Sequence, residues 1–179
     1  EAETEAFVAG LAEAVGMAAE AALERVCATL EAPVARLAGV REAEVRDWLA
    51  KERDRPGSQE TREAIEALVS HMAMARGAAP DVGYALGQLW RKWQDELRQG
   101  FNPARMAPET AAALLHFDDG LKRFSYGPPL RSVEELLALI RAGVVDLRAV
   151  DHPDIRLVED GWVLDGDAAT LRAAAMVDA

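Results

Sequence analysis

Residues 123–147 read RFSYGPPLRSVEELLALIRAGVVDL, and the pattern of the whole chain changes within this stretch. Before it, apolar residues recur every three or four positions, as is typical of amphipathic helices. Inside it, a Gly-Pro-Pro turn leads to a helix, for which Ser132 and Glu135 predict a capping box. Gly143 is a suitable C-cap for that helix, and Val144 to Leu147 form an apolar run that we expect to be a strand.

The region before this stretch predicts five helices, at about residues 3–30, 41–55, 59–76, 80–100 and 109–124. Proline and glycine set their expected boundaries. Pro33 should interrupt the chain after the first helix, and Pro56-Gly57 should end the second. Ser58 is a candidate N-cap for the third helix, and Pro80 suits the first position of the fourth.

In two of these helices the apolar residues form a stripe that predicts which side chains face the core. In the third, the spacing turns Ile65, Leu68, Val69 and Met72 towards the core. In the fourth, two tryptophans three positions apart, at 90 and 93, favour core packing over stacking on nucleic acid, even though basic residues lie between them.

The region after this stretch predicts β-structure. DIRLVEDGWVLDG, residues 154–166, reads as a hairpin with its turn at Asp160-Gly161. LRAAAMVDA, residues 171–179, is compatible with a strand or a helix. We therefore expect a mainly α protein of about six helices with a small C-terminal β element, a hairpin plus one or two strands, and an α+β fold overall. The expected domains are a helical one at 1–125 and a second at 126–179.

Composition excludes several function classes. The net charge is −11, from 31 acidic and 20 basic residues, which disfavours binding to nucleic acid or to an anionic membrane surface. No apolar run approaches the roughly 18 residues needed to cross a bilayer. Cys27 is the only cysteine, so no intrachain disulfide or thiolate metal cage can form, and a reducing cytoplasm is the expected location.

No set of side chains has the spacing of a catalytic centre or a metal site. His116, Asp118 and Asp119 lie close together, but the first two point in opposite directions on a helix, so we interpret them as a solvated face. Cys27 lies on or beside an apolar stripe and is expected to be a buried structural thiol. The chain contains neither a Gly-x-Gly-x-x-Gly nor a phosphate-binding loop motif, so it has no recognisable phosphate cradle.

The order of features in residues 120–179 resembles the middle of a bacterial flavoprotein family, the FAD/NAD(P)-binding proteins, whose Rossmann half opens the chain. The matching positions are the Ser-x-Gly-Pro-Pro turn of Ser125 to Pro129, the helix of Leu136 to Leu139, and Ala142 to Val144. The ending, Val177 to Ala179, is similar to the family's strand that leads back to the nucleotide-binding domain. The family's opening glycine fingerprint is missing here.

The resemblance implies that this chain is an inner domain of an FAD/NAD(P)-dependent oxidoreductase, on its substrate or interaction side. Alone, the chain would have no catalytic activity. FAD and NAD(P) would be held by a nucleotide-binding domain of the same protein, the implied partner, and no cofactor by this chain. Tyr126, Gly127 and Pro128 are then candidates for contact with the cofactor. The alternative is a stand-alone helical module for protein–protein interaction without redox function. The strand edge at Leu171 to Val177 could also pair with a second copy.

Overall fold

The computed structural model describes residues 2–55, 58–59, 62–101, 105–147, 153–166 and 169–177. Contacts divide the chain into a helical unit, Glu1–Glu135, and a second unit, Leu136–Ala179. The described residues form eight helices followed by a three-stranded antiparallel sheet. The predicted fold class, mainly α with a small C-terminal β element, is confirmed.

The helices have well-defined bounds, and the division between the units falls within the last of them. They are α1 (Ala2–Ala14), α2 (Ala19–Ala38), α3 (Glu42–Asp54), α4 (Ala64–Ala75), α5 (Val82–Lys92), α6 (Gln94–Phe101), α7 (Pro108–Ser125) and α8 (Leu130–Arg141).

The helix predicted at 3–30 is two helices, so that prediction is wrong. The chain leaves the helical path at residues 15–18, around Gly16, and α1 folds back along α2. The approach is close, because a Cβ added at Gly10 would overlap the side chain of Thr29. Phe7 and Leu30, near opposite ends of the predicted helix, are therefore buried in one core. The apolar residues of α1 pack against those of α2.

Pro33 does not interrupt the chain as predicted, because it lies inside α2 and is buried there. Proline removes one amide donor from the helix, but packing of an apolar face can outweigh that loss. Val34 next to it is fully buried. The helix ends instead at Gly39, whose φ of 70° is the left-handed conformation common after a helix.

Two predicted helix starts are also wrong. Ser58 accepts a hydrogen bond from the Gln59 side chain, and α4 begins later, after Glu63. Pro80 precedes the N-cap of α5, which is Asp81; its carboxylate accepts a hydrogen bond of 2.8 Å from the Tyr84 amide. The predicted helix at 80–100 breaks at residue 93 into α5 and α6. Pro56 and Gly57 lie outside the described residues.

The core of the helical unit is built around four aromatic rings. Phe7 stacks on Trp93 with ring centroids 4.7 Å apart and meets Trp90 edge-on at 5.9 Å. Trp90 also meets Phe117 edge-on. Both tryptophans are almost fully buried, which confirms the prediction that they are core residues. Every member of the main hydrophobic cluster lies between Phe7 and Leu121.

Helix α8 begins earlier than the predicted capping box requires. The carbonyl of Pro129 accepts hydrogen bonds from the amides of Ser132 and Val133, so Ser132 lies in the first turn and is not the N-cap. Glu135 pairs with Arg131 instead. The predicted box is wrong because the proline before Leu130 already starts the helix.

The second unit consists of the end of α8 and a three-stranded meander. Gly143, at φ 71°, ends the helix as predicted, but residues 144–147 are not a strand, and Val144 is exposed. The strands are β1 (Asp154–Val158), β2 (Gly161–Asp165) and β3 (Thr170–Ala173), in the order β1-β2-β3. The hairpin is confirmed, although its loop is Glu159-Asp160 and Gly161 already pairs with Val158.

The register places apolar residues together on one face of this sheet. Residues directly opposite each other in an antiparallel pair share a face. The face therefore holds Ile155, Leu157, Trp162, Leu164, Leu171 and Ala173. The segment at 171–179, for which strand and helix were both open, is a strand only as far as Ala173; residues 174–177 are neither strand nor helix, and 178–179 lie outside the described residues.

Candidate functional site

A pocket of about 460 Å³ opens on the helical unit between α4, α5 and the segment that joins α7 to α8. We call it the groove. Its volume lies in the range of small-molecule sites, about 300–1,000 Å³. Its lining is Leu68, His71, Met72 and Ala75 from α4, Tyr84, Gln88 and Arg91 from α5, and Arg123 to Leu130 with Val133 from the joining segment and α8.

Two glycines of α5 let the end of α7 approach closely enough to form the wall of the groove. A Cβ at Gly87 would overlap the carbonyl oxygen of Phe124. A Cβ at Gly83 would lie 3.1 Å from the ring of Phe124. Trp48 also contacts that ring edge-on, with centroids 5.2 Å apart. The backbone at 124–125 is therefore fixed against α5, and the Gly-Pro-Pro turn starts from a rigid point.

A buried hydrogen bond ties α5 to α7 beneath the groove. The indole N–H of Trp90 donates to a carboxylate oxygen of Asp118 at 2.8 Å, and the side-chain amide of Gln94 lies 3.4 Å from the same oxygen. Asp118 is buried, so its interpretation as part of a solvated face is wrong. A buried indole N–H needs an acceptor, so the predicted burial of Trp90 was the signal in the sequence for a nearby buried polar residue such as Asp118.

The interpretation as a solvated face holds for the neighbours of Asp118. His116 and Asp119 are exposed, and Lys122 holds the pKa of the Asp119 carboxyl below its usual range through a hydrogen bond. Among the described residues, no three His, Cys, Asp or Glu side chains are arranged to hold a metal ion.

The groove brings together the three residues that the resemblance singled out. Tyr126, Gly127 and Pro128 all belong to its lining. Tyr126 is half exposed, has an extended backbone, and its hydroxyl lies 3.4 Å from Oε1 of Gln94. A Cβ at Gly127 would meet nothing within 4 Å, so the space beside this glycine is open. Because prolines lack an N–H, only Gly127 among residues 127–129 has a backbone donor.

The α4 wall of the groove is apolar and partly uncovered. Leu68 and Met72 line the groove and are half-buried, whereas Ile65 and Val69 are 46% and 41% exposed. The prediction that all four face the core is therefore wrong for Ile65 and Val69. Only Met74 on this helix is buried. The helical spacing was correct, but part of the apolar stripe faces solvent.

The polar groups of the groove are basic or neutral. Arg91 comes from α5 and Arg123 from α7, and both are exposed. Nη2 of Arg62, which precedes α4, lies 3.3 Å from Nε2 of His71 on α4. A guanidinium can only donate, so this nitrogen of His71 accepts. Arg62 is itself held by Asp81 at 3.0 Å.

Cys27 is buried on α2, as predicted, away from the residues that line the groove. Burial raises the pKa of its thiol to about 12, and the nearby Arg53 offsets only part of that effect. A thiol that stays protonated at neutral pH is a poor nucleophile. The residue belongs to the hydrophobic cluster.

The described helices include none that is long and apolar enough to cross a bilayer. Comparison of the chain with family models, curated proteins and solved structures found no match. Function is therefore inferred from the groove and from the residues that line it.

Proposed function

We propose that the helical unit is a binding domain on the substrate side of an FAD/NAD(P)-dependent oxidoreductase-like flavoprotein, inert alone. One observation carries the proposal: the Ser-x-Gly-Pro-Pro turn on which the resemblance rests forms a wall of the groove. The opposite wall is apolar, as is typical of sites that bury a small organic ligand. The turn is anchored by the close contact of Phe124 with α5, which suits a preorganised site.

The proposal assigns the flavin to a nucleotide-binding domain of the same protein, in a reducing cytoplasm. Dinucleotide sites hold pyrophosphate with a run of backbone amides at a glycine-rich turn. The turn at 127–129 offers a single amide, because two of its three residues are prolines. Tyr126, Gly127 and Pro128 would then face the reacting end of the cofactor or substrate rather than its phosphates.

The test begins with flavin. Purified protein is mixed with excess FAD, desalted, and read at the visible absorption of flavin; we expect a colourless protein. Stoichiometric yellow protein would overturn the claim that the cofactor is held elsewhere. The sequence encoded on either side of residues 1–179 gives a second test, since the proposal expects a Gly-x-Gly-x-x-Gly fingerprint before them.

The alternative is a stand-alone helical module for protein–protein interaction without redox function, which would use exposed apolar side chains such as Ile65 and Val69 of α4, 46% and 41% exposed.

A further alternative is that the sheet pairs with a second copy of the chain. The apolar face of the sheet remains uncovered in part, with Leu157 70% and Ile155 47% exposed. In this reading β3, whose one neighbour in the described sheet is β2, pairs through its outer edge with the same strand of a second copy.

Light scattering across a range of protein concentrations tests this alternative. Self-association is expected to weaken when Arg172 on β3 is replaced by proline, because the two-residue alternation of the ladder turns the Arg172 amide, and not that of Leu171, to the outer edge. The Arg172→Ala variant, which keeps the backbone donor at the same position, is the control. A strictly monomeric wild-type protein at high concentration counts against the edge pairing.

A further inference from the structure

We infer that the ligand of the groove is a small organic carboxylate with an apolar, ring-bearing or branched body. This inference rests on the proposed function, which makes the groove a binding site, and adds the chemical class of the ligand. It follows from the charge, the shape and the backbone donors of the lining.

The charge of the lining is opposite to that of the chain. The protein has 31 acidic and 20 basic residues, so a surface patch of average composition would contain more carboxylates than cations. The described lining instead contains Arg91, Arg123 and no Asp or Glu. Two guanidinium groups without a lining carboxylate form a local positive field, which attracts an anion.

Both arginines are available to a ligand. Arg91 donates to the side chain of Gln88 at 2.5 Å, a neutral partner. Arg123 forms no ion pair or side-chain hydrogen bond with the described residues. A guanidinium presents a planar fork that matches a carboxylate with two parallel hydrogen bonds.

The rest of the lining suits an apolar body. Leu68, Met72 and Val133 provide aliphatic surface, while Tyr84 and Phe124 provide rings. An aromatic or branched group would replace water against these side chains, and such burial contributes roughly 25 cal/mol for each Å² of apolar area. The ligand therefore has one charged end at the arginines and one apolar end between α4 and α8.

The backbone favours a carboxylate over a phosphate. Phosphate sites usually add several backbone amides to their basic side chains. Pro128 and Pro129 remove two of these donors from the wall nearest Arg123. Two guanidinium groups can pair with both oxygens of a carboxylate, whereas a phosphate would lack the backbone amides that its sites usually add.

The experiment measures binding to the full chain by calorimetry or ligand-observed NMR. The probes are pairs of similar shape: naphthalene-2-carboxylate with 2-naphthalenemethanol, and phenylacetate with 2-phenylethanol. A naphthyl phosphate is tested beside these acids and alcohols, to compare a phosphate with a carboxylate on the same ring. We expect at least one carboxylate to bind about tenfold or more tightly than its alcohol, and to weaken as salt is added.

Variants assign the preference to the groove. Arg91→Gln and Arg123→Gln should each weaken carboxylate binding about tenfold while leaving the alcohol unchanged. The matched control is Arg131→Gln, an exposed arginine of α8 that pairs with Glu135 and does not line the groove. Circular dichroism checks that each variant is folded.

Each outcome separates the two proposals. Three outcomes would overturn the carboxylate inference and leave the groove as a binding site. These are equal binding of acid and alcohol, tighter binding of the phosphate, and a double arginine variant that binds the carboxylate as the wild type does. Binding of none of the probes would overturn the groove as a small-molecule site, and with it the proposed function.

Discussion

Single residues show where this fold depends on polar chemistry rather than on apolar patterning. Asp118 was placed on a solvated face by its sequence neighbours, yet it is the acceptor for the buried indole of Trp90. Its position could not be predicted from spacing alone, because Asp118 and Asp119 differ only by about 100° around the helix. Cys27, in contrast, lies on a strong apolar stripe, and its burial was predictable.

Asp118→Ala should lower the free energy of unfolding by about 1–3 kcal/mol, because it leaves the Trp90 N–H buried without its acceptor. Asp118→Asn keeps an acceptor oxygen, so its free energy of unfolding should fall by less than that of Asp118→Ala. The adjacent Asp119→Ala is the matched control; it removes an exposed ion pair with Lys122 and should change stability by less than about 1 kcal/mol. Urea denaturation measures all three, and equal effects of the two alanine variants would contradict the assignment.

Cys27 should make the protein less stable as pH rises above about 8.5, the usual pKa of a free thiol. The pKa of the folded thiol is about 12, so between these values the unfolded state releases a proton that the folded state keeps. The free energy of unfolding then falls, at most by about 1.4 kcal/mol for each pH unit.

The measurement for Cys27 compares wild type with Cys27→Ala in urea between pH 8 and 10. The cavity left by alanine shifts stability equally at every pH, so the difference between the two slopes isolates the thiol. Parallel slopes would mean that the thiol is not shielded from water in the folded protein. Thiol reagents should likewise label the wild type only after unfolding.

At the scale of helices and strands, the sequence determined which residues are apolar together but not where each helix stops. The hairpin and the C-cap at Gly143 follow from local rules. Pro33 within α2 and the break at Gly16 do not, because each depends on a neighbouring helix that packs against it. The groove itself was invisible in the sequence, since Leu68, Arg91 and Arg123 come from three different helices.

Because α5 contacts the end of α7 so closely, we expect one added methyl group at Gly87 to destabilise the protein. Gly87→Ala should lower the free energy of unfolding by about 1–3 kcal/mol, because its Cβ would overlap the Phe124 carbonyl and the backbone must move. It should also weaken every groove ligand. Gly127→Ala is the control for stability, as its Cβ meets nothing within 4 Å; we expect a change within about 0.5 kcal/mol. Thermal and urea unfolding of both variants, with probe binding to Gly87→Ala, provide the comparison.

At the scale of the whole chain, the apolar core belongs to one part of the molecule. The main hydrophobic cluster lies between Phe7 and Leu121, within the helical unit of Glu1–Glu135. The predicted domain boundary, at 125/126, was drawn where the sequence pattern changes; contacts divide the chain at 135/136, inside α8. A change of pattern in the sequence does not reveal where the contacts divide the chain.

A chain of residues 1–147 should therefore fold without the sheet. It keeps the whole cluster and all of α8, so we expect a cooperative transition in urea and a free energy of unfolding within about 1 kcal/mol of the full chain, a difference near the uncertainty of linear extrapolation. The matched chain of residues 1–121 ends inside α7 and should not unfold cooperatively. A non-cooperative transition in the longer fragment would show that the core needs the second unit.

The distribution of tryptophan makes the two units optically separable. Three of the four tryptophans, at 48, 90 and 93, lie in the helical unit, and Trp162 lies on β2. Two of the three are almost fully buried, so their emission is blue-shifted in the folded state. Replacing Trp162 by phenylalanine leaves fluorescence that reports the helical unit alone, and subtracting its signal from that of the wild type yields the melting curve of the sheet.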